Sequence, residues 1–317
     1  MLEKNFYLIG GSSYYGSGKI ISFLKKKLNN SYEKFNFIET QKSNLGIIKK
    51  LIKVPKNSKI LFQPSIAFPS FLRDILILLL IRSKSHDLTF ILCVDICFKN
   101  PIFKVKKFRK IFFKNSKVIS IANFSYKLKG QVIIEPFFEK SKLNISIVED
   151  FKLPLAPLHL GYCTKMKGWD KFNFLLESCR EGYPFFTIGS ASPKDCLLSK
   201  KNHTIIRASN TKDIESKVEL ISRKYFPCLI FLSNADFAPL IVLEAGYWGI
   251  PITCIKDTKS ENILERFLPR NCFVSIKDFR ELKFFREDLI VSRTNMLSYT
   301  RDLNEKEFFQ SILENLY

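Results

Sequence analysis

The regular alternation of apolar strand-like runs with amphipathic helical stretches is the feature that most restricts the fold of this chain. In the first half, the runs begin with FYLIGG and end with QVIIEP, and helical stretches such as GKIISFLKKKL lie between them. After a proline-spaced stretch, FKLPLAPLHLG, a second series begins with PFFTIGS. Strands that alternate with helices pair in parallel, with helices on both faces of the sheet. The sequence therefore predicts an α/β fold with two parallel-sheet domains.

Length and composition fit this organisation. The chain has 317 residues, of which 46% are hydrophobic and 26% charged, which is enough for two cores of ordinary size. We predict an N-terminal domain over residues 1–150, a linker over 151–160, a C-terminal domain over 161–285 and a helical tail over 286–317.

The positive charge is concentrated in the first half. Residues 1–150 hold 27 Lys and Arg against 10 Asp and Glu, a net charge of +17, whereas residues 151–317 hold 24 against 20, a net charge of +4. In the densest segment, 104–114, Val105, Phe108, Ile111 and Phe112 can share one helix face. Its cations are Lys104, Lys106, Lys107, Arg109, Lys110 and Lys114. This pattern fits an interfacial helix on an anionic membrane, and equally a solvated basic face whose aromatic residues enter the core.

Several other classes of protein are not expected. No recognisable nucleic-acid-binding motif accompanies the charge, so no nucleic-acid partner is predicted. The longest aliphatic run, Ile75 to Ile81, is far shorter than the roughly 20 residues that a bilayer requires. The histidines and cysteines show no metal-ligand spacing, and the scattered cysteines are typical of buried thiols in a reducing compartment. With no signal-peptide pattern at the N-terminus, we expect a cytoplasmic protein that can attach to the inner face of the membrane.

Two carboxylates, Asp236 and Glu244, lie eight positions apart around a predicted strand-to-helix transition that follows CLIFL (228–232). A residue in the loop after a buried strand faces the crevice at the carboxyl end of that strand, and a residue in the next helix can reach the same ligand. Carboxylates accept hydrogen bonds from hydroxyl groups, which are dense in sugars and ribose. The alternative is a helix cap and a solvated face.

Upstream, Lys165 and Lys167 lie in a loop between Gly161 and a helical stretch that begins after Gly168. Lysines at a loop-helix junction can meet phosphate together with the backbone N–H groups of the helix N-terminus. A lone loop lysine is usually only solvated. Combined with the acidic pair, however, these lysines favour a nucleotide-sugar site.

These segments resemble the GT-B glycosyltransferases of family 4. The pattern G-R-x4-K-G is matched at Gly161, Lys167 and Gly168, and the pattern S-x2-E-G-F-G-x4-E-A-x3-G-x-P is matched at Ser233, Glu244, Ala245, Gly249 and Pro251. The stretch FFTIGSA, with Gly189, resembles the family's strand that ends in a glycine turn, and YLIGGSSYYGSG resembles its first strand and glycine loop. Tyr162 replaces the motif arginine and Asp236 replaces the first glutamate.

The resemblance implies a GT-B fold, with two Rossmann-like domains facing a cleft and C-terminal helices that cross back to brace the first domain. It also implies a retaining hexosyltransferase, independent of metals and cofactors, that moves a sugar from a nucleotide-sugar to a glycan or lipid-linked acceptor in envelope polysaccharide biosynthesis. Asp236 and Lys167 would be catalytic. The donor-binding residues would be Glu244, Lys165, Gly161, Gly189 and Ser233, and the first domain would meet the acceptor near Gly10, Gly11, Gly16 and Asp95. A non-catalytic GT-B partner protein and a sugar-nucleotide epimerase are the alternatives.

Overall fold

The computed structural model divides the chain into two compact units, residues 1–137 with 304–317, and residues 138–303. Each unit contains one parallel sheet, as the sequence predicts. The described residues are 5–11, 17–40, 44–65, 70–84, 86–93, 100–121, 128, 130–135, 153–161, 167–178, 184–189, 202–233, 239–256, 258–280 and 286–316. No helix within these ranges is long and apolar enough to cross a membrane.

The sheet of the first unit has six parallel strands in the order β2-β1-β3-β4-β5-β6. The strands are β1 (Phe6–Gly10), β2 (Phe35–Glu39), β3 (Lys59–Phe62), β4 (Asp87–Leu92), β5 (Lys117–Ser120) and β6 (Gln131–Ile133). The helices between them are α1 (Ser17–Ser31), α2 (Asn44–Ile52), α3 (Ser70–Ser83) and α4 (Lys106–Phe112), and a 3-10 turn (Pro101–Lys104) precedes α4.

Helices α2, α3 and α4 lie side by side on one face of this sheet. The three connections from β2 to β3, from β3 to β4 and from β4 to β5 step in the same direction along the sheet, whereas the connection from β1 to β2 steps in the opposite direction. Because such crossovers are right-handed, α2, α3 and α4 lie on one face and α1 on the other. The contacts agree, because α2 packs against α3 and the Phe71 ring of α3 stacks on the Phe112 ring of α4 at 6.2 Å between centroids.

The basic segment 104–114 packs differently from the single apolar face predicted for it. Phe108 and Phe112 turn into a cluster of aromatic rings around Phe103, with centroid distances of 5.2 and 5.0 Å. Val105 and Ile111 remain exposed. The prediction that these four residues share one face is therefore wrong, and the alternative, in which the aromatic residues of a basic segment enter the core, describes Phe108 and Phe112.

Arg109, predicted as a surface cation, is instead bound to the backbone. Its guanidinium group donates to the carbonyls of Phe103 and Lys104 at 2.5 and 2.9 Å. Arg82 of α3 plays a similar part, donating to the carbonyls of Ile111, Phe112 and Lys114. Arg82 thereby ties the basic segment to α3, whereas Arg109 closes the start of the segment on itself.

The sheet of the second unit has five parallel strands in the order β11-β10-β7-β8-β9. The strands are β7 (Leu155–Leu160), β8 (Phe185–Gly189), β9 (His203–Arg207), β10 (Phe226–Ile230) and β11 (Ile252–Thr253). The helices are α5 (Trp169–Ser178), α6 (Thr211–Ser222), α7 (Leu240–Tyr247), α8 (Lys259–Leu264), α9 (Ile276–Arg280) and α10 (Arg286–Asp302). Phe172, Phe226, Cys228 and Phe279 are among the residues of its core.

Strand β7 corrects the predicted linker over 151–160. It lies in the middle of the sheet, between β10 and β8, although it contains Pro157, and proline is rare in a central strand. The N–H of Gly161 bonds the Ile188 carbonyl at 2.9 Å, so by alternation Pro157 also faces β8. Pairing with β8 begins only at Leu158, and the N–H that Pro157 lacks is therefore not needed there.

The predicted helical tail is divided between the two units. Helix α10 belongs to the second unit, where the Ser292 hydroxyl bonds the backbone N–H and carbonyl of Ile252 at 2.9 and 2.6 Å. Only α11 (Glu305–Leu316) returns to the first unit. There Phe308 packs against Phe23 of α1 and Glu305 pairs with Lys27 at 2.6 Å. The prediction that 286–317 braces the first domain is thus wrong for α10.

Candidate functional site

The strand order of the second unit reverses direction between β7 and β10, and the carboxyl ends of β7, β8 and β10 lie at the same edge of the sheet. Strand β7 comes first along the chain, and its neighbours are β8 on one side and β10 on the other. The connection that leaves β7 runs to β8 and the connection that leaves β10 runs to β11, in opposite directions along the sheet. In open α/β sheets, this switch in direction is where ligands bind.

Two of the predicted site glycines meet at this edge of the sheet. A Cβ atom on Gly189, the last residue of β8, would lie 1.9 Å from the carbonyl oxygen of Gly161, much closer than any side chain permits. Gly161 itself has a φ of +113°, which residues other than glycine rarely adopt. The backbones that leave β7 and β8 therefore approach each other only because both positions are glycine.

Gly168, which directly precedes α5, lies against the end of β10. Gly168 has a φ of +78°, and a Cβ atom there would lie 2.3 Å from the carbonyl oxygen of Leu232. This contact places the half-buried Lys167 beside the residues that directly follow β10. The two sequence segments that carry the resemblance are thereby brought together at Gly168 and Leu232, from positions more than 60 residues apart.

Glu244 lies on the second turn of α7, the helix that follows β10. It is only 4% exposed, so its carboxylate requires hydrogen-bonding partners to be stable there. Helix α7 packs closely against α10, because a Cβ atom on Gly246 would lie 2.6 Å from the Met296 side chain of α10. Ser233 is buried as well, and its carbonyl accepts a hydrogen bond from the Ser260 hydroxyl at 3.0 Å.

Four predicted site residues lie outside the described residues: Asp236, Lys165, Gly16 and Asp95. Tyr162, which replaces the motif arginine, lies outside them too. Within the described part of the chain, no group of three or more His, Cys, Asp or Glu side chains could hold a metal ion.

His159, a buried residue of β7, was not among the predicted site residues. Its ring hydrogen-bonds the backbone of Lys167 and lies 5.4 and 5.3 Å from the rings of Trp169 and Phe172. Its Nδ1 atom has no hydrogen-bond partner among the described residues. A polar residue in an apolar strand, eight positions before Lys167, was the available signal. His159 fixes the backbone from which the Lys167 side chain projects.

His159 makes the stability of the second unit sensitive to acid. Burial, with the nearby charges of Lys167 and His203, lowers the pKa of His159 from 6.5 to about 4. The unfolded chain therefore binds an extra proton between these values. We expect the stabilisation from His159 to be complete above pH 6.5 and to be lost as the pH falls to about 4, a loss of about 3 kcal/mol.

Thermal unfolding measured across this pH range tests the expectation. His159→Gln keeps an N–H donor for the Lys167 backbone but does not titrate, so the acid sensitivity should diminish. The control is His86→Gln, since His86 is only partly buried and bonds the N–H of Ser58 in the first unit. Equal pH profiles for the wild type and His159→Gln would refute the prediction.

In the first unit, Gly10 and Gly11 lie at the carboxyl end of β1. A Cβ atom on Gly10 would lie 3.1 Å from Oε1 of Gln63, and the N–H of Gly11 donates to the same atom at 3.4 Å. Gln63 directly follows β3, and its Nε2 contacts the Cys93 sulfur at 3.9 Å. Gln63 thus joins the ends of β1, β3 and β4, and the sequence analysis did not single it out.

No protein-family profile and no curated protein matches this sequence. Among solved structures, the apo lipopolysaccharide outer core galactosyltransferase WaaB is similar, with a TM-score of 0.64, 11% identity and coverage of 98% of each chain. HepE of Anabaena in complex with UDP has a TM-score of 0.65, 12% identity and coverage of 99% of each chain. An alpha-glucosyltransferase in complex with UDP has a TM-score of 0.55 and 10% identity, and the match covers 98% of this chain and 99% of the glucosyltransferase chain. These matches extend over nearly the whole chain, and the protein therefore has the GT-B fold, as predicted.

Proposed function

We propose that this protein is a retaining, metal-independent glycosyltransferase that transfers a sugar from a nucleotide-sugar to a glycan or lipid-linked acceptor in envelope polysaccharide biosynthesis. The observation that carries the proposal is the contact between Gly168 and Leu232. It joins the lysine loop and the carboxylate-bearing segment at the switch point of one sheet. The UDP bound by HepE, which shares the fold, supports a nucleotide-sugar as the donor class.

The proposed mechanism follows from where charge develops. As the glycosidic bond of the donor breaks, negative charge grows on the leaving pyrophosphate, and positioned cations and N–H groups stabilise it. Lys167, at the start of α5, is suited to this role, with Lys165 as its helper. Asp236 would bind hydroxyls of the transferred sugar and Glu244 those of the ribose.

The acceptor is assigned to the first unit. Its glycine loop, with Gly10, Gly11 and Gly16, and the residue Asp95 follow strands β1 and β4. Gln63 adds an amide at the same carboxyl edge of the sheet. We further propose that the protein works in the cytoplasm, at the inner face of the membrane, because the first half of the chain carries a net charge of +17 (27 cations and 10 carboxylates) that anionic lipids attract.

Calorimetry against a panel of UDP-, GDP- and ADP-sugars tests the proposal. Binding followed by transfer to an added acceptor is the expected result. Donor binding without any product would favour a non-catalytic GT-B partner, which the replacement of the motif arginine by Tyr162 permits. A changed sugar in the absence of acceptor would favour an epimerase. If no donor in the panel binds, the transferase and the epimerase are both contradicted, and a GT-B partner that has lost donor chemistry is favoured.

Lys167→Ala should weaken donor binding and leave the fold intact. A charged hydrogen bond to phosphate contributes about 1.5 to 3 kcal/mol, which corresponds to roughly tenfold to a hundredfold in affinity. The substitution keeps the backbone that His159 holds, so the melting temperature should stay nearly unchanged. Lys224→Ala, an exposed lysine of the same unit, is the control. A large drop in melting temperature with normal donor affinity would mark Lys167 as structural.

A further inference from the structure

One surface of the first unit combines exposed aliphatic side chains with positive charge. We call the outward sides of α2, α3 and the segment 101–114 the three-helix face. Eight large aliphatic side chains on it are between 40% and 72% exposed: Leu45, Ile52, Leu72, Leu76, Leu79, Ile102, Val105 and Ile111. Only three other large hydrophobic residues of the described chain, Ile133, Phe174 and Leu220, are at least 40% exposed. More than half of such residues therefore lie on one surface.

The spacing of these residues shows that they project away from the core. Leu72, Leu76 and Leu79 recur at intervals of four and three, which forms one stripe along α3. Asp74, Ile77 and Ile81 are buried on the opposite side of the same helix. Leu45 and Ile52 form a similar stripe on α2, with the exposed Lys49 between them. Because the helices lie side by side, these stripes belong to one continuous surface.

The same face is almost free of negative charge. Residues 44–52, 70–83 and 100–114 contain ten Lys and Arg (two, two and six) and one acidic residue, Asp74. Asp74 is fully buried, pairs with Arg73 at 3.0 Å and accepts a hydrogen bond from the N–H of Ser65 at 2.6 Å. The exposed cations are Lys49, Lys50, Lys104, Lys106, Lys107, Lys110 and Lys114. No exposed carboxylate within these described segments offsets them.

We propose that the three-helix face docks on an anionic lipid bilayer and inserts its aliphatic side chains among the headgroups. Aliphatic stripes flanked by lysines on the same or neighbouring helices suit this interface, because the lysine stems stay in the apolar layer while their ammonium groups reach the phosphates. A protein partner would instead favour a compact pocket or an aromatic anchor. This inference deepens the membrane attachment proposed above by assigning its site, and it does not depend on the donor reaction.

The test is co-sedimentation of the full chain with phosphatidylcholine vesicles, with and without phosphatidylglycerol, at low and high salt. The wild type should bind only the anionic vesicles, and salt should weaken but not abolish binding, since salt screens charge over about 10 Å at 0.1 M but leaves aliphatic insertion in place. Replacing Lys104, Lys106, Lys107 and Lys110 by Gln should weaken binding at low salt by roughly tenfold or more. Arg82 and Arg109 are left unchanged because they hold backbone carbonyls.

A second variant isolates the aliphatic part. Replacing Leu72, Leu76 and Leu79 by Ser should abolish the binding that survives high salt. The matched controls lie outside the face: Phe174 and Leu220 to Ser for the aliphatic set, and Lys212, Lys224, Lys277 and Lys306 to Gln for the lysines. Both controls should bind like the wild type. Melting curves and donor calorimetry on every variant should be unchanged.

Three results would overturn the inference. The wild type could ignore anionic vesicles at low salt, the controls could lose as much binding as the face variants, or the serine variant could bind as well as the wild type. In the last case the face attracts polyanions in general, and heparin should compete fully. Vesicle binding without donor binding would contradict only the proposed enzymatic function, so the two failures are distinguishable.

Discussion

Gly168→Ala should destabilise the second unit and abolish donor binding. The new Cβ atom would lie 2.3 Å from the Leu232 carbonyl oxygen, in a backbone conformation with a φ of +78°. The left-handed conformation costs about 1 to 2 kcal/mol, and overpacking typically adds about 1 to 3 kcal/mol. Together these correspond to a drop of roughly 5 to 15 °C in the melting temperature. The displaced loop would also carry Lys167 away from the end of β10.

Gly130→Ala provides a matched control for this prediction. Gly130 has a φ of +71°, close to that of Gly168, but a Cβ atom there would meet nothing within 4 Å. It should show the cost of the backbone conformation alone, about 1 to 2 kcal/mol, without any effect on donor binding. Thermal unfolding and donor calorimetry on the two variants separate the cost of the backbone conformation from the cost of the contact with Leu232. If both lower the melting temperature equally, the loop does not rest against Leu232.

Glu244→Gln should lower turnover while preserving the shape of the site. The substitution keeps the size of this 4% exposed side chain but replaces a charged acceptor by a neutral one. A hydrogen bond to a charged group is worth about 1.5 to 3 kcal/mol, so kcat/KM should fall roughly tenfold to a hundredfold. Asp236→Asn should have an effect in the same direction if it binds the sugar hydroxyls.

Glu215→Gln is the control for losing a buried carboxylate. Glu215 lies on α6 of the same unit and is 5% exposed. It should affect the melting temperature without affecting kcat/KM. Unchanged kinetics in Glu244→Gln at saturating and subsaturating donor would remove Glu244 from the proposed site.

The architecture of the two sheets was predictable because it depends on local pattern. Alternating apolar runs and amphipathic helices can bury their apolar surfaces only as parallel sheets covered by helices. The glycine positions were predictable for a related reason, since Gly161 and Gly189 stand where strands must turn. What these glycines contact was not predictable, because the close packing of Gly189 against the Gly161 carbonyl joins the ends of two different strands.

The predicted linker and the predicted tail were wrong where tertiary contacts override local preference. Prolines in 151–160 indicated a linker, yet β7 tolerates Pro157 because its neighbour β8 begins to pair one residue later. Helix α10 looked like part of the returning tail, but its Ser292 is bonded to Ile252 of β11. The place of β7 in the sheet is decided by its pairing with β8, and the place of α10 is decided by its contact with β11.

The sequence by itself determined the parallel α/β architecture, the glycine turns and the concentration of charge in the first half, since each depends on residue type and spacing along the chain. The tertiary structure alone decided which residues meet. It brought His159 to the backbone of Lys167, turned Phe108 and Phe112 inward, and left Leu72, Leu76 and Leu79 of α3 outside. A helix has several faces, and which of them is buried depends on the surface against which it packs.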